Sequence, residues 1–131
     1  MAAGAGPGRE WAVFTAVLWL AVTLAALTLR PPLPVDETRY LAVAWDMWRE
    51  GHYLVPHLHG EPYSHKPPLL FWLMTAGWHV FGVNDWWPRL VAPLFGLGSL
   101  VLTGRLAGAL WPGMARAGAL APVLLFGAVF W

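Results

Sequence analysis

The chain has 131 residues, of which 58% are hydrophobic and 11% are charged, well below the roughly 25% of charged residues in a soluble domain. This composition predicts an all-α, polytopic protein of the cell membrane. The net charge of +1 indicates no nucleic-acid partner, and the absence of cysteine excludes disulfides and thiolate metal ligands within these residues.

The first predicted element is an uncharged apolar run at residues 11–29, which lies between Arg9 and Arg30. A helix of this length, rising about 1.5 Å per residue, nearly crosses a hydrocarbon core of about 30 Å. A cleaved signal peptide is the alternative, but its apolar segment is usually about 7 to 15 residues long, and Arg30 followed by PPLP is a poor cleavage site. We therefore expect a retained membrane anchor.

Three further spans are predicted at about 67–83, 90–110 and 114–131. Pro67 and Pro68 can occupy the first turn of the second span, where a missing backbone donor costs little. A turn at Trp111, Pro112 and Gly113 separates the last two spans. Because the fourth span reaches Trp131 without a terminating signal, we interpret the chain as part of one longer transmembrane domain.

A polar loop at residues 30–66 contains nine of the fifteen charged residues. Within it the sequence predicts a helix from Asp36, as N-cap, to Glu50, ended by Gly51. Its apolar side is predicted to carry Tyr40, Leu41, Ala44, Trp45, Met47 and Trp48, and its charged side Arg39, Asp46, Arg49 and Glu50. An amphipathic helix of this kind is expected to lie along the membrane surface.

Two carboxylates begin this helix. As an N-cap, Asp36 would contribute about 1 kcal/mol and nothing more. At the bilayer edge and close to Arg39, its carboxylate could instead accept a proton from a hydroxyl group or help to hold a metal ion. Glu37 would fall on the apolar side, or it could simply favour the positive end of the helix dipole.

The second half of the loop is rich in histidine, at positions 52, 57, 59 and 65. Their spacing matches no standard metal-binding pattern, and His59 with Gly60 is better explained as a tight turn. Lys66 lies directly before two prolines at the start of a span, at the depth of lipid phosphates. The alternative for Lys66 is a snorkelling side chain without a ligand.

Four short motifs occur in a fixed order: Asp-Glu-x-Arg-Tyr at 36–40, Gly-Glu-Pro-Tyr at 60–63, Lys-Pro-Pro-Leu at 66–69, and FGVNDWWPRL at 81–90. This ordered set resembles the amino-terminal part of the family 39 type membrane glycosyltransferases. That family includes the protein O-mannosyltransferases and the aminoarabinose transferases that modify lipid A. The resemblance covers residues 35–95.

The resemblance implies the amino-terminal helices of a C-type glycosyltransferase (GT-C) fold, with an amphipathic juxtamembrane helix in the first external loop. It also implies an activity. A sugar would pass from a polyprenyl-phosphate donor to a hydroxyl or phosphate acceptor on lipid A, a protein or another glycan. The reaction would take place on the extracytoplasmic face of the membrane, with a membrane lipid as partner.

The site residues follow from the same motifs. Asp36 and Glu37 occupy the catalytic position, and Lys66, Arg39 and Tyr40 are implied to contact the donor phosphate. Ser64 and His65 depart from the aromatic and acidic pair expected before the lysine. The cofactor is therefore unknown; a divalent metal is possible, with His65 as a weak candidate ligand.

The expected topology places residues 30–66 and the turn at 105–116 outside, which leaves Arg9 and Arg89 inside. The count of basic residues alone favours the inverted orientation. Two other functions remain open: a non-catalytic membrane adaptor, and a transporter fragment with His79 or Arg105 in its pathway.

Overall fold

The computed structural model describes residues 7–112, 114 and 117–129. They form five helices and one hairpin: α1 (Pro7–Leu29), α2 (Asp36–Glu50), β1 (His57–Leu58), β2 (Glu61–Pro62), α3 (Leu69–Phe81), α4 (Trp86–Leu110) and α5 (Ala117–Val129). The chain divides into two compact units, one formed by Ala25–Pro93 and the other by Met1–Leu24 with Leu94–Trp131. The residues of the predicted site all belong to the first unit.

Two of the described helices are long and apolar enough to cross a membrane, over Glu10–Leu29 and Trp86–Leu110. α1 carries the run predicted at 11–29, whereas α4 begins at Trp86 rather than at 90. α5 falls within the predicted span 114–131, whose residues 115, 116, 130 and 131 lie outside the described ones, as does Gly113 of the predicted turn. In that turn the Met114 amide donates to the Trp111 carbonyl at 2.9 Å.

The helix at the predicted span 67–83 is shorter than expected. α3 has 13 residues, or about 20 Å at 1.5 Å per residue, which is less than a hydrocarbon core. Pro68 lies before its first turn, at the N-cap, and its carbonyl accepts the first helical bond from the Trp72 amide at 2.9 Å. The helix ends at Phe81 because Gly82 follows with a φ of 73°.

α2 has the bounds that the sequence predicts, but its cap differs. Gly51 adopts the left-handed conformation, with φ 75°, and its amide donates to the Met47 carbonyl at 3.0 Å. The N-cap position belongs to Val35, and no side chain makes a capping hydrogen bond there. The prediction that Asp36 is the N-cap is therefore wrong, because the helix already includes Asp36 as its first residue.

The core of the Ala25–Pro93 unit lies between α2 and α3, where Val43, Met47 and Phe71 are fully buried. Aromatic pairs connect the two helices in order: Tyr40 packs against Phe71 with ring centroids 6.2 Å apart, and Trp48 against Trp78 at 6.1 Å. The paired positions advance in the same direction along both helices. α2 and α3 therefore run parallel, and their amino-terminal ends lie at the same end of the pair.

The hairpin packs on the same core. β1 and β2 pair antiparallel, with Leu58 opposite Glu61, and the two residues between them have positive φ, 56° at His59 and 84° at Gly60. This confirms the predicted tight turn. The His59 amide donates to Asp46 Oδ2 at 2.6 Å, which fastens the hairpin to α2.

Candidate active site

The segment between α1 and α2 fixes the start of α2 through a strained turn. Val35 has a φ of 79°, a conformation that costs a β-branched residue about 1–3 kcal/mol and persists only where surrounding contacts enforce it. Two such contacts close the turn: the Thr38 amide donates to the Leu33 carbonyl at 3.4 Å, and the Leu33 amide donates to Glu37 Oε2 at 2.9 Å. Asp36 therefore projects from a defined turn.

The carboxylate of Glu37 is held on both oxygens. Oε1 accepts a hydrogen bond from Arg30 Nη2 at 2.6 Å, and Oε2 lies 3.6 Å from Arg89 Nε in addition to its bond from the Leu33 amide. We call Arg30, Glu37 and Arg89 the Glu37 cluster. Because both oxygens of Glu37 already contact side chains or an amide of the protein, this geometry favours a supporting role for Glu37.

Arg89 connects the Glu37 cluster to the end of α1. Its Nη2 donates to the carbonyls of Ala26 and Arg30, each at 2.7 Å, and its Nη1 donates to that of Leu27 at 3.3 Å. The last carbonyls of a helix have no intrahelical partner, and a cation there interacts favourably with the helix dipole. The first turn of α4 thus caps the carboxyl end of α1, beside the amino end of α2.

The surroundings of Asp36 are different. It is exposed, and no residue in the described part of the chain forms a hydrogen bond or ion pair with its carboxylate. As the first residue of α2 it lies at the positive end of the helix dipole, which stabilises a negative charge. Of the two predicted catalytic carboxylates, Asp36 is therefore the more exposed one, and Glu37 is the one held by partners.

Lys66 lies in the bend that precedes α3. It is exposed, and its ammonium has no hydrogen-bonding or ion-pair partner among residues 7–112, 114 and 117–129. Three positions earlier, the buried Tyr63 packs against Phe71, with ring centroids 6.2 Å apart. Because Tyr40 contacts the same ring and the helices run parallel, Lys66 and Asp36 lie at the same end of the α2–α3 pair.

The other predicted phosphate contacts differ in accessibility. Arg39 is exposed, in the first turn of α2. Tyr40 is half-buried, and its ring packs against Phe71. Arg39 is therefore available to an anion beside Asp36, whereas the visible role of the Tyr40 ring is to join α2 to α3.

The histidines do not assemble a metal site in the described part of the chain. His65 is exposed, and its ring centroid lies 5.3 Å from that of Tyr63, while His52 and His57 pair at 4.5 Å. Among the described residues no three His, Cys, Asp or Glu side chains could hold one ion.

Sequence reasoning missed the role of Arg89. The residue lies within the motif FGVNDWWPRL, but its partners at the end of α1 and in α2 are far away along the chain. The available signal was a single arginine at the start of a long apolar segment, where a cation needs a partner.

Comparison with known proteins gives relatives but neither a matching family model nor a matching solved structure. The chain is 35% identical over 99 residues to the undecaprenyl phosphate-alpha-4-amino-4-deoxy-L-arabinose arabinosyl transferase of Pseudomonas savastanoi pv. phaseolicola, a match that covers 70% of this chain and 19% of the relative. It is 31% identical over 109 residues to the protein of the same name from Serratia proteamaculans, covering 82% of this chain and 20% of that one. An uncharacterized protein of Aquifex aeolicus is 36% identical over 72 residues, 55% of this chain and 14% of the relative. The chain is thus similar to lipid-linked sugar transferases and spans about a fifth of the length of those it matches.

Proposed function

We propose that this chain supplies the catalytic base and part of the donor-binding surface of a membrane glycosyltransferase. The enzyme takes a sugar from a polyprenyl-phosphate donor and joins it to a hydroxyl or phosphate group of lipid A, a protein or another glycan. The observation that carries the proposal is the exposed carboxylate of Asp36, which has no partner among the described residues and lies at the same end of the α2–α3 pair as Lys66. The name shared by the Pseudomonas and Serratia relatives, which specifies an undecaprenyl-phosphate-linked sugar, supports this class of donor.

The chemistry requires a base and a cation. In the donor, the anomeric carbon is already joined to a phosphate leaving group, so the acceptor oxygen must lose its proton as it attacks. Asp36 takes that proton while the bond from the anomeric carbon to the phosphate oxygen breaks. Lys66 stabilises the negative charge that grows on the departing phosphate. A phosphate acceptor is largely ionised near neutral pH, so the need for Asp36 is greatest with a hydroxyl acceptor.

The remaining predicted residues assist this reaction. Arg39, exposed in the first turn of α2, adds a second cation for the donor phosphate. Tyr40 contributes by fixing α2 against Phe71. Glu37 acts beside Asp36 as the anchor of the turn rather than as a second base, because its oxygens already accept bonds from Arg30 and Leu33.

The topology that fits these contacts differs from the one expected from sequence. Arg89, at the start of α4, bonds to carbonyls at the end of α1, so α4 begins on the side of the membrane where α1 ends. In our proposal α3 therefore does not cross, residues 30–88 all lie on the extracytoplasmic side, and α4 crosses the membrane so that its carboxyl end, with Arg105, lies towards the inside. A donor phosphate at the outer surface then meets Asp36 and Lys66 directly.

A transfer assay tests the function. The full-length gene product, reconstituted in liposomes, is supplied with a radiolabelled undecaprenyl-phosphate sugar and a membrane extract as the source of acceptor. We expect label to move to the acceptor fraction. The assay is repeated with a panel of donor sugars that includes aminoarabinose and mannose. If the wild-type protein leaves every donor intact, the proposal is contradicted.

Among the described residues, no contact favours the adaptor or the transporter alternative. A transport pathway would use His79 or Arg105. His79 is exposed and its ring packs on Trp48 with centroids 4.3 Å apart, which gives it a packing role at the end of α3. Neither alternative accounts for a carboxylate and a lysine that are both exposed at one end of a helix pair, without partners among the described residues.

A further inference from the structure

The Glu37 cluster joins three segments that are distant along the chain. Arg89 comes from the first turn of α4, Glu37 from the first turn of α2, and the carbonyls of Ala26, Leu27 and Arg30 from the end of α1 and the residue after it. The guanidinium of Arg89 links its own helix, α4, to both of the other segments, whereas Arg30 joins Glu37 to the end of α1 alone. Removal of this guanidinium would break the contacts of α4 with Glu37 and with the end of α1, and no other described side chain makes these contacts.

We propose that Arg89 is a positioning residue for sugar transfer: it holds Glu37, and through Glu37 it holds the turn that presents Asp36. The proposal rests on the proposed function of Asp36 as the base. Arg89 lies in α4, outside the loop that carries the reacting groups. In this proposal it nevertheless affects the rate of turnover.

The side chain of Arg89 is built into the protein rather than open to a substrate. It is 8% exposed, and its two terminal nitrogens donate to three backbone carbonyls. Its Nε has no hydrogen-bond partner in the described part of the chain and lies 3.6 Å from Glu37 Oε2. A donor phosphate cannot reach this guanidinium without displacing α1, which distinguishes Arg89 from the exposed Arg39.

The link from Glu37 to Asp36 is mechanical. Glu37 Oε2 accepts a hydrogen bond from the Leu33 amide. This bond closes the turn in which Val35 is held at a φ of 79°. A strained residue of this kind relaxes when the contacts that enforce it are lost. Because Asp36 follows Val35 directly, a change in the Val35 backbone moves the Asp36 carboxylate. A displacement of about 1 Å at a reacting group can lower turnover about 100-fold.

The test uses the full-length protein with substitutions at Arg89 and Glu37 and with two control substitutions. Arg89→Gln removes the charge, Glu37→Gln keeps the shape of the side chain, and the double variant measures their coupling. Arg89→Lys keeps the charge but lacks the planar five-donor fork that reaches the carbonyls and Glu37 together, so it should restore part of the activity. Arg49→Gln and Glu50→Gln are the matched controls, since both residues are exposed at the other end of α2.

Two readouts are compared with the wild type. We expect each single variant to lower kcat about 10- to 100-fold with the donor KM changed less than about twofold, and the double variant to be no slower than the slower single one. Hydrogen exchange at the amides of Leu33 and Thr38 should be faster in both single variants and unchanged in the controls.

Additive losses in the double variant, or unchanged exchange at Leu33 and Thr38, would overturn the positioning role while leaving Asp36 as the base. A rise in donor KM with kcat preserved would also overturn it, because Arg89 would then act in binding. A wild-type protein that transfers no sugar overturns the proposed function itself, and with it any positioning role in that reaction.

Discussion

Asp36 and Glu37 are consecutive carboxylates in the first turn of α2, and their surroundings are opposite. Glu37 accepts bonds from the Arg30 guanidinium and the Leu33 amide, whereas Asp36 is exposed and has no ion pair with any described residue. One carboxylate can therefore hold the turn while its neighbour remains free to react. This difference supports the separate roles that we propose for two residues that the sequence motif presents as a pair.

The binding role of Lys66 predicts a loss of affinity rather than of turnover. Lys66→Ala removes a charge-assisted contact and should weaken binding of the polyprenyl-phosphate sugar by about 10- to 150-fold. Lys66→Arg should recover part of the loss, since the charge is kept. Equilibrium binding of labelled donor to the full-length protein measures both. A snorkelling lysine would leave both affinities at the wild-type value, and that result would remove Lys66 from the site.

The proposed topology predicts a labelling pattern. Single cysteines replace Leu54, which is 85% exposed, Asp85 before α4, and Met114 after it. With an impermeant thiol reagent on intact cells, we expect Leu54→Cys and Asp85→Cys to be labelled and Met114→Cys to be protected until lysis. The topology expected from sequence, with α3 crossing, instead predicts that Asp85→Cys is protected and Met114→Cys is labelled. The position-85 result therefore decides whether α3 crosses.

A larger residue at Gly77 in α3 is expected to clash with Trp87 of α4. A Cβ at this position would overlap the indole ring of Trp87, whose Nε1 donates to the Leu73 carbonyl at 2.9 Å. Gly77→Ala should therefore destabilise the protein by about 1–3 kcal/mol, seen as a lower midpoint of thermal unfolding in detergent. Gly96→Ala is the control, because a Cβ there meets no atom within 4 Å. Equal midpoints for the two variants would show that Trp87 does not pack on α3 in this way.

The sequence predicted the elements that depend on local signals. The bounds of α2 followed from the prolines before it and from Gly51, and the hairpin turn followed from Gly60, because these residues favour their conformations regardless of distant contacts. The predicted set of residues on the apolar side of α2 was incomplete. Val43 was omitted from it, although its side chain is fully buried against α3.

The features that sequence could not supply depend on long-range contacts. Nothing in the order of residues indicated that Arg89 would reach Ala26 and Leu27, or that Val35 would take a positive φ to close the turn before Asp36. The length of α3 was overestimated because apolar residues continue through Val83, whereas Gly82 ends the helix. Tertiary contacts and one glycine outweighed the hydropathy pattern.

The role of Asp36 as the base is tested most directly with Asp36→Asn in the full-length protein. Both the turnover with a hydroxyl acceptor and the affinity for the donor are measured. The amide keeps the shape and hydrogen-bonding capacity of the side chain but cannot serve as a general base. We therefore predict a fall in kcat of about 10²- to 10⁴-fold with donor affinity changed little, while Glu50→Gln retains wild-type turnover. If Asp36→Asn transfers sugar at the wild-type rate, Asp36 is not the base, and the central claim is contradicted.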